Sequence, residues 1–155
     1  MPPASNCSFR PAVEADLAFL VVLRVATMTP HFERQGMAAL DDEEHRQRAA
    51  YRLDAAAIIE CDGQAVGVIK VLQDGTTWTI EQFQIVPDRQ GGGLGTTVLR
   101  ALIAEARASG ALLRLSVLKQ NPAARLYARL GFRTLAESAG SYKMTFIETE
   151  APPAR

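Results

Sequence analysis

Four glycines within residues 91–95 form the segment of this sequence with the clearest chemical character. The segment follows an apolar, β-branched stretch that ends at Val86-Pro87, and apolar residues recur at helical spacing after it. A loop between a strand and a helix N-terminus collects backbone N–H groups that bind phosphate, and glycine lets an anion approach them. The spacing predicts a phosphate-binding loop, although the same glycines would also suit a tight strand-to-helix turn.

Two common nucleotide-binding motifs do not fit this loop. A P-loop requires a lysine immediately before its Ser or Thr, whereas Gly95 precedes Thr96. A dinucleotide-binding fingerprint requires glycine or alanine where Thr96 or Val98 stands. The pattern that does fit is Gln-x-x-Gly-x-Gly, from Gln90 to Gly95, directly after the Val-Pro strand end.

A second motif lies downstream, at residues 121–132, with the sequence NPAARLYARLGF. With both motifs in this order, the chain resembles the GNAT superfamily of acyl-CoA-dependent N-acyltransferases. The resemblance extends to residues 9–12 and to a predicted hairpin at 57–72, but it holds only in outline over residues 16–54. That region commonly varies in the family and helps to shape the acceptor pocket.

The predicted elements give an α/β (α+β) domain over residues 1–147, followed by a polar, Pro-rich tail at 148–155. A strand at residues 8–10 and a helix from Asp16 come first, and Thr29-Pro30 begins a second short helix. Strands are predicted at 57–61, 65–72, 78–86, 112–118, 132–136 and 142–147, with one helix before and one after the strand at 112–118. The resemblance implies a GNAT-like, mostly antiparallel sheet of six to seven strands with a central β-α-β unit that binds acyl-CoA.

The resemblance also implies a binding site for acetyl-CoA as the co-substrate, with no metal. Backbone amides of the glycine loop would hold its pyrophosphate, main-chain groups of the preceding strand would receive its pantetheine, and one strand amide would polarise the thioester carbonyl. Asn121 is first of all a helix N-cap and also contacts this side of the site. The residues implied are Ile85, Val86, Gln90, Gly91, Gly92, Gly93, Leu94, Gly95, Thr96, Asn121 and Tyr127.

Two side chains are candidates for catalysis. Tyr127 lies in the second motif, where its hydroxyl would protonate the departing CoA thiolate; periodicity alone would place it in the core of an amphipathic helix. Glu81 alternates with Phe83 and Ile85 in the predicted strand, so a carboxylate on an otherwise apolar face would act as a base through a water molecule. A salt-bridged or exposed strand residue is the equal alternative. His31 and His45 fit the surface better than a catalytic role.

Composition narrows the partners. The 155 residues carry 17 Lys+Arg and 17 Asp+Glu, so a nucleic acid or an anionic membrane is not an expected partner. The longest apolar run, at residues 17–23, is shorter than the roughly 20 residues of a membrane span. Cys7 and Cys61 are far apart and form no CxxC pair, which favours free thiols and a cytoplasmic location without a metal site.

These observations predict an N-acetyltransferase that moves an acetyl group from acetyl-CoA to a primary amine by direct transfer through a tetrahedral intermediate. The alternative is a non-catalytic domain of the same fold that binds acyl-CoA. The acceptor is expected to be a small amine-bearing molecule, with a protein acceptor and a homodimer left open. One of Arg89, Lys119, Arg125 and Arg129 would pair with the 3′-phosphate of CoA, although each alone fits a solvated surface charge equally well.

Overall fold

The computed structural model describes residues 6–147 of the chain, so the predicted tail at 148–155 lies outside the described residues. A single sheet has the strand order β1-β2-β3-β4-β5-β7-β6, and four helices flank it. All neighbouring strands are antiparallel except β4 and β5, which are parallel and joined through α3. The predicted sheet of six to seven strands, with its central β-α-β unit, is confirmed, and the number of strands is seven. The elements are β1 (Cys7–Pro11), α1 (Leu17–Arg34), α2 (Asp42–Ala50), β2 (Ala56–Cys61), β3 (Gln64–Asp74), β4 (Thr77–Ile85), α3 (Leu94–Ala108), β5 (Leu112–Leu118), α4 (Ala123–Leu130), β6 (Phe132–Glu137) and β7 (Ser141–Phe146).

Local sequence signals account for several of these boundaries. Asp62 and Gly63 both have positive φ, of 53° and 77°, as a two-residue β-hairpin turn requires, and they join β2 to β3. Asp41 caps α2 by accepting a hydrogen bond from the amide of Glu44 at 2.8 Å, and the Glu44 carboxylate accepts one from the Asp41 amide in return. Acidic side chains therefore lie where the helix dipole favours them.

The helices cover both faces of the sheet and bury a core on each. On one face, α3 and α4 pack over the side chains of Ile59, Ile69 and Ile80. On the other face, Leu17, Leu20 and Leu23 of α1 pack over Ile58 and Val68. Lys70, Gln82 and Gln84 follow in register with these last residues, so polar groups lie beneath α1 and α2 where the apolar core ends.

The sheet opens between β4 and β5. Residues 77–80 of β4 pair with residues 112–115 of β5, and no further pairs join these two strands. Beyond that point β4 remains paired with β3, whereas β5 pairs with β7 from Arg114 to Leu118. The last residues of β4 therefore present one main-chain edge to an open gap.

The prediction that a second helix begins at Thr29-Pro30 is wrong. Helix α1 does not restart at Thr29-Pro30 but continues through Pro30 to Arg34. Proline removes one helical hydrogen bond there, yet Phe32 beyond it is buried, so packing keeps the helix intact. As a result, the helical stretch Glu14–Arg34 is long and apolar enough to span a membrane by length and composition, although its apolar side packs on the sheet.

The two cysteines form a disulfide bond rather than remaining free thiols. β1 and β2 are antiparallel, and their register places Cys7 directly opposite Cys61. Fifty-four residues separate the two in sequence, which is why spacing did not suggest the pair. Cys61 is buried in the core beneath α3.

Candidate active site

Two cavities meet at the gap between β4 and β5. The α1–α2 cavity, of about 600 Å³, lies between the sheet and helices α1 and α2. The glycine-loop cavity, of about 510 Å³, lies between the loop at residues 90–93, the start of α3 and the start of α4. Met28, Phe83, Gln84 and Asn121 line both, so a molecule bound in one can reach a molecule bound in the other.

The glycine loop leaves the N-terminus of α3 uncovered. Gly91 and Gly93 have φ values of 81° and 88°, a left-handed conformation that glycine adopts without strain, and Gly93 is the N-cap of α3. Within residues 6–147, and apart from each glycine and its two chain neighbours, no atom lies within 4 Å of where a Cβ on Gly91, Gly92 or Gly93 would be. The first amides of α3 have no partner within the helix and are free to bind an anion.

The residues predicted in this loop divide by position. Gln90, Gly91, Gly93, Gly95 and Thr96 line the glycine-loop cavity. Gly92 and Leu94, which were also predicted, do not line this cavity. Gly92 is exposed, and the side chain of Leu94 is buried in the core while its amide belongs to the first turn of α3. The side chain of Gln90 is already engaged, because its Nε2 donates to the carbonyl of Ile85 at 2.8 Å.

At the end of β4, alternate residues turn their main-chain groups toward the gap. The amide of Val86 donates to the carbonyl of Val66 at 2.8 Å, so Val86 is committed to β3 and cannot receive a ligand through its N–H. Main-chain groups alternate sides along a strand, so Gln84 also faces β3, whereas Phe83 and Ile85 face the gap. Of the two residues predicted here, Ile85 therefore faces the gap through its main chain and Val86 faces β3, while Phe83, which was not predicted, also faces the gap.

Tyr127 reaches the α1–α2 cavity from α4. Only 6% of the residue is exposed, and its ring packs edge-on against Phe132. The side chain makes no hydrogen bond to any residue in the range 6–147, and burial raises the pKa of its phenol above the ordinary value of about 10. A phenol in this position stays protonated and offers a free donor. Core packing and a polar role coexist here.

Asn121 lies one residue before the N-cap of α4, which is Pro122 rather than the predicted Asn121, but its side chain still binds the first amide of the helix. Its side-chain Oδ1 accepts a hydrogen bond from the amide of Ala123 at 2.9 Å, and its carbonyl accepts one from Ala124 at 3.1 Å. The residue also lines both cavities. The hydrogen bond to Ala123 fixes the start of α4, which in turn sets where Tyr127 enters the site.

Glu81 lies on a β-bulge, which gives it the exposed environment of the alternative prediction rather than a place on an apolar face. Lys70 pairs with Gln82 and Val71 pairs with Ile80, so Glu81 has no partner on β3. The extra residue breaks the alternation with Phe83, and Glu81 is exposed at the α1–α2 cavity rather than held on an apolar face. The bulge therefore places the carboxylate at the cavity, whereas a regular strand would have placed it on the same face as Phe83 and Ile85.

Two buried cations share this cavity with Glu81. Lys70 is 1% exposed, and its Nζ donates to the carbonyls of Arg48, Ala49 and Tyr51 at the C-terminal end of α2. Burial lowers the pKa of Lys70 to about 8, with Glu81 acting in the opposite direction. This lysine ties α2 to the sheet and thereby forms one wall of the cavity.

The second buried cation is Arg24 of α1, which is 7% exposed. Its Nε is fully buried and has no hydrogen-bond partner among the described residues. Burial lowers the pKa of Arg24 to about 10, the positive charge of Arg48 lowers it further, and Glu81 raises it. The side chain lines the α1–α2 cavity.

Two glutamines complete the polar floor of that cavity. The Nε2 atom of Gln82 donates to Oε1 of Gln84 at 2.8 Å, and both side chains are buried. This bond leaves the Gln84 amide N–H groups and the Gln82 carbonyl oxygen to face the cavity. The sequence prediction placed both on the face opposite Glu81; the bulge brings all three to one face.

The remaining candidates lie at the edges of the site. His31 lines the glycine-loop cavity and is hydrogen-bonded to Arg34, and burial lowers its pKa. His45 was expected at the surface but is 1% exposed, because its helix packs against α1. Neither of its ring nitrogens has a hydrogen-bond partner among residues 6–147, and burial lowers its pKa. Of the four basic residues proposed for the 3′-phosphate, Arg89 and Arg129 line the glycine-loop cavity, Lys119 pairs with Glu137 at 2.8 Å, and Arg125 is exposed.

The arrangement matches a known family. The family model for the GNAT acetyltransferases matches residues 20–132, which include the glycine loop, α4 and most of both cavities. The chain belongs to the GNAT acetyltransferase family. It is an N-acetyltransferase that uses acetyl-CoA as its co-substrate, as the two sequence motifs implied. No curated protein matches the chain in sequence.

Solved structures share the fold of this GNAT protein. The PaiA N-acetyltransferase from Thermoplasma acidophilum, solved with coenzyme A, superposes with a TM-score of 0.73 at 15% identity, covering 90% of this chain and 97% of that one. The ribosomal-protein-S18-alanine N-acetyltransferase from Escherichia coli gives 0.70 at 18% identity, covering 95% and 97%. Ard1 from Thermoplasma volcanium gives 0.69 at 17% identity, covering 92% and 99%. At these identities the likeness establishes the fold.

Sequence reasoning missed Arg24 and Lys70 as cavity residues, although a signal for both was present. Arg24 stands at helical spacing from Leu17 and Leu20, in the stripe that packs on the sheet. Lys70 interrupts the apolar run of β3 at a position whose neighbours are buried. Burying a charged side chain is costly, so charged residues are rarely buried unless they are paired or functional, and a charged residue within an apolar stripe therefore marks a candidate site.

Proposed function

We propose that this enzyme transfers the acetyl group of acetyl-CoA directly to a primary amine that binds in the α1–α2 cavity. The observation that carries the proposal is the meeting of the two cavities at the gap in the sheet, beside the free main-chain edge of β4 and the unpaired hydroxyl of Tyr127. Direct transfer requires the amine and the thioester to approach one another from two connected sites. The non-catalytic alternative does not require a second cavity of this size.

The glycine-loop cavity would hold the pyrophosphate of acetyl-CoA on the first amides of α3, with Arg89 or Arg129 near its 3′-phosphate. The pantetheine would lie along the open edge of β4. The Phe83 amide faces the gap and would donate to the thioester oxygen, on which negative charge develops. The carbonyl of Ile85 already accepts from Gln90, which holds the strand end and the loop together.

The amine nitrogen would then attack the thioester carbon. Its lone pair forms the new C–N bond, its proton leaves through Glu81 or a water molecule beside it, and the C–S bond breaks as the carbonyl re-forms. Tyr127 would donate its hydrogen bond to the departing sulfur. The ordinary pKa of a tyrosine phenol, about 10, already exceeds that of a free thiol, about 8.5, and burial raises the pKa of Tyr127 further. The phenol would therefore stabilise the thiolate chiefly by hydrogen bonding rather than by giving up its proton.

A thiol-release assay over a broad panel of primary amines tests the proposal, with product masses measured to confirm transfer. We expect at least one amine to yield free CoA and a product heavier by one acetyl group. Calorimetric titration with acetyl-CoA runs in parallel. Binding of acetyl-CoA without acetylation of any amine in the panel would reject the proposed transfer and favour the non-catalytic alternative.

A further inference from the structure

The α1–α2 cavity is positively charged in a chain with no net charge. Three of the charged residues that line it are cationic, namely Arg24, Arg48 and Lys70, and one, Glu81, is anionic. They lie close enough for Arg48 and Glu81 to shift the pKa of Arg24 and for Glu81 to shift that of Lys70. A cavity with this excess attracts anions and opposes molecules that carry only positive charge.

The three cations differ in what their charges already contact. Lys70 is satisfied by three backbone carbonyls of the α2 end. Arg48 is exposed at the mouth of the cavity, where water solvates it. Arg24 alone is both buried and without a partner among the described residues, since no carboxylate or carbonyl accepts from its Nε.

A guanidinium with a buried Nε that has no acceptor is costly to a folded protein, because that N–H group has lost its water and gained no partner. Arg48 adds repulsion to that cost, and Glu81 offsets it only through space. A bound anion would supply the missing acceptor. Arginine suits this task because its planar group presents parallel N–H donors that match the two oxygens of a carboxylate.

We propose that the acceptor is a small amine that also carries a carboxylate, as an amino acid does, and that Arg24 binds the carboxylate and sets this specificity. The inference rests on the proposed acetyl transfer and names its substrate class. With the carboxylate on Arg24 inside the cavity, the amine would point toward Glu81 and the gap where the thioester lies. Gln84 offers further amide donors on the same face.

Matched acceptors test this assignment in the thiol-release assay. The probes are amino acids paired with their own α-carboxamides, 4-aminobutyrate paired with butylamine, the polyamine spermidine, and 2-aminoethyl phosphate. We expect the carboxylate member of at least one pair to have a kcat/KM ten- to a hundredfold above its neutral partner. Equal or better turnover of carboxamides, spermidine or the phosphate would overturn the carboxylate assignment while leaving acetyl transfer intact.

Variants of Arg24 locate the effect. Arg24→Met should lower kcat/KM for the carboxylate acceptor at least tenfold by raising the KM of that acceptor. It should leave the kcat/KM of the neutral partner and the KM of acetyl-CoA unchanged. Arg24→Lys should keep part of the preference for the carboxylate. Arg46→Gln removes an exposed arginine from α2 that does not line the cavity, and it should behave as wild type. An equal loss for both members of a pair in Arg24→Met would indicate a structural role and contradict the proposal.

A binding measurement separates this inference from the transferase reaction. The enzyme–CoA complex is titrated calorimetrically with N-acetyl amino acids and with N-acetyl amino acid amides. Tighter binding of the carboxylates to wild type, lost in Arg24→Met, supports the anion site even if no amine is acetylated. Equal binding of both sets would reject the site even if turnover is observed.

Discussion

Replacement of Tyr127 by phenylalanine isolates the contribution of one hydroxyl group. The side chain is 6% exposed, its ring contact with Phe132 is retained by phenylalanine, and its hydroxyl makes no hydrogen bond to any residue in the range 6–147. Because the side chain reaches the α1–α2 cavity and no residue in the range 6–147 accepts from its hydroxyl, the substitution breaks no hydrogen bond within that part of the chain. Tyr127→Phe should therefore unfold at the same temperature as wild type or a higher one.

The catalytic loss follows from the bond that the hydroxyl would make to the departing sulfur. A hydrogen bond to a charged group contributes about 1.5–3 kcal/mol. At about 1.4 kcal/mol for each factor of ten, its removal should lower kcat by about 10- to 150-fold. If Tyr127 instead gave up its proton completely, the loss would extend toward the 10²–10⁴ range of general acid catalysis.

Steady-state thiol release with saturating acceptor measures kcat, and calorimetry measures the affinity for acetyl-CoA, which should not change. Tyr142→Phe is the matched control, because that tyrosine lies on β7 with its ring beneath Lys119 and does not line either cavity. A Tyr127→Phe enzyme that keeps the turnover of wild type would refute the role of this hydroxyl. A parallel loss of thermal stability would refute the argument from its missing partner.

Three further predictions test other parts of the site. Burial lowers the pKa of Lys70 to about 8 from 10.5, so between these pH values the unfolded chain binds more protons than the folded one, and the free energy of unfolding should rise with pH by up to about 3 kcal/mol. Urea titrations should show this rise in wild type and in the exposed-site control Lys143→Met, but not in Lys70→Met. In Gly95→Ala the new methyl group would lie no closer than 3.5 Å to Leu126, so the substitution should raise the free energy of unfolding by about 0.5–1 kcal/mol. The same methyl group should narrow the glycine-loop cavity and raise the KM for acetyl-CoA, and an unchanged KM would exclude Gly95 from the binding surface. Glu81→Gln should lower kcat/KM for the amine by about 10²-fold near neutral pH, and by much less at high pH, where the acceptor is already the free amine. A loss of the same size at every pH would argue against Glu81 as the base.

Much of the fold and of the co-substrate site follows from local sequence. The glycines at residues 91–95 and the helix after them predict an anion site because helix amides and left-handed backbone are properties of short segments. The strand and helix boundaries were found to within a few residues for the same reason. The continuation of α1 through Pro30 was not, since the packing of Phe32 outweighs the local cost of proline.

The acceptor side depends on contacts between residues far apart in the chain. The bulge that turns Glu81 into the α1–α2 cavity arises from the register between β3 and β4, and that register also decides that Phe83 rather than Val86 faces the gap. The Cys7–Cys61 disulfide likewise depends on the pairing of β1 with β2.

By itself, the sequence determined the family, the co-substrate and the helix that carries Tyr127, because each is marked by residue types at short, regular spacing. Only the tertiary structure decided which charges share a cavity. Arg24, Lys70 and Glu81 come from three separate elements, and their distances depend on how α1 packs on the sheet. Burial, which leaves the Nε atom of Arg24 without a partner among residues 6–147, is a property of the assembled fold, and the proposed acceptor specificity rests on it.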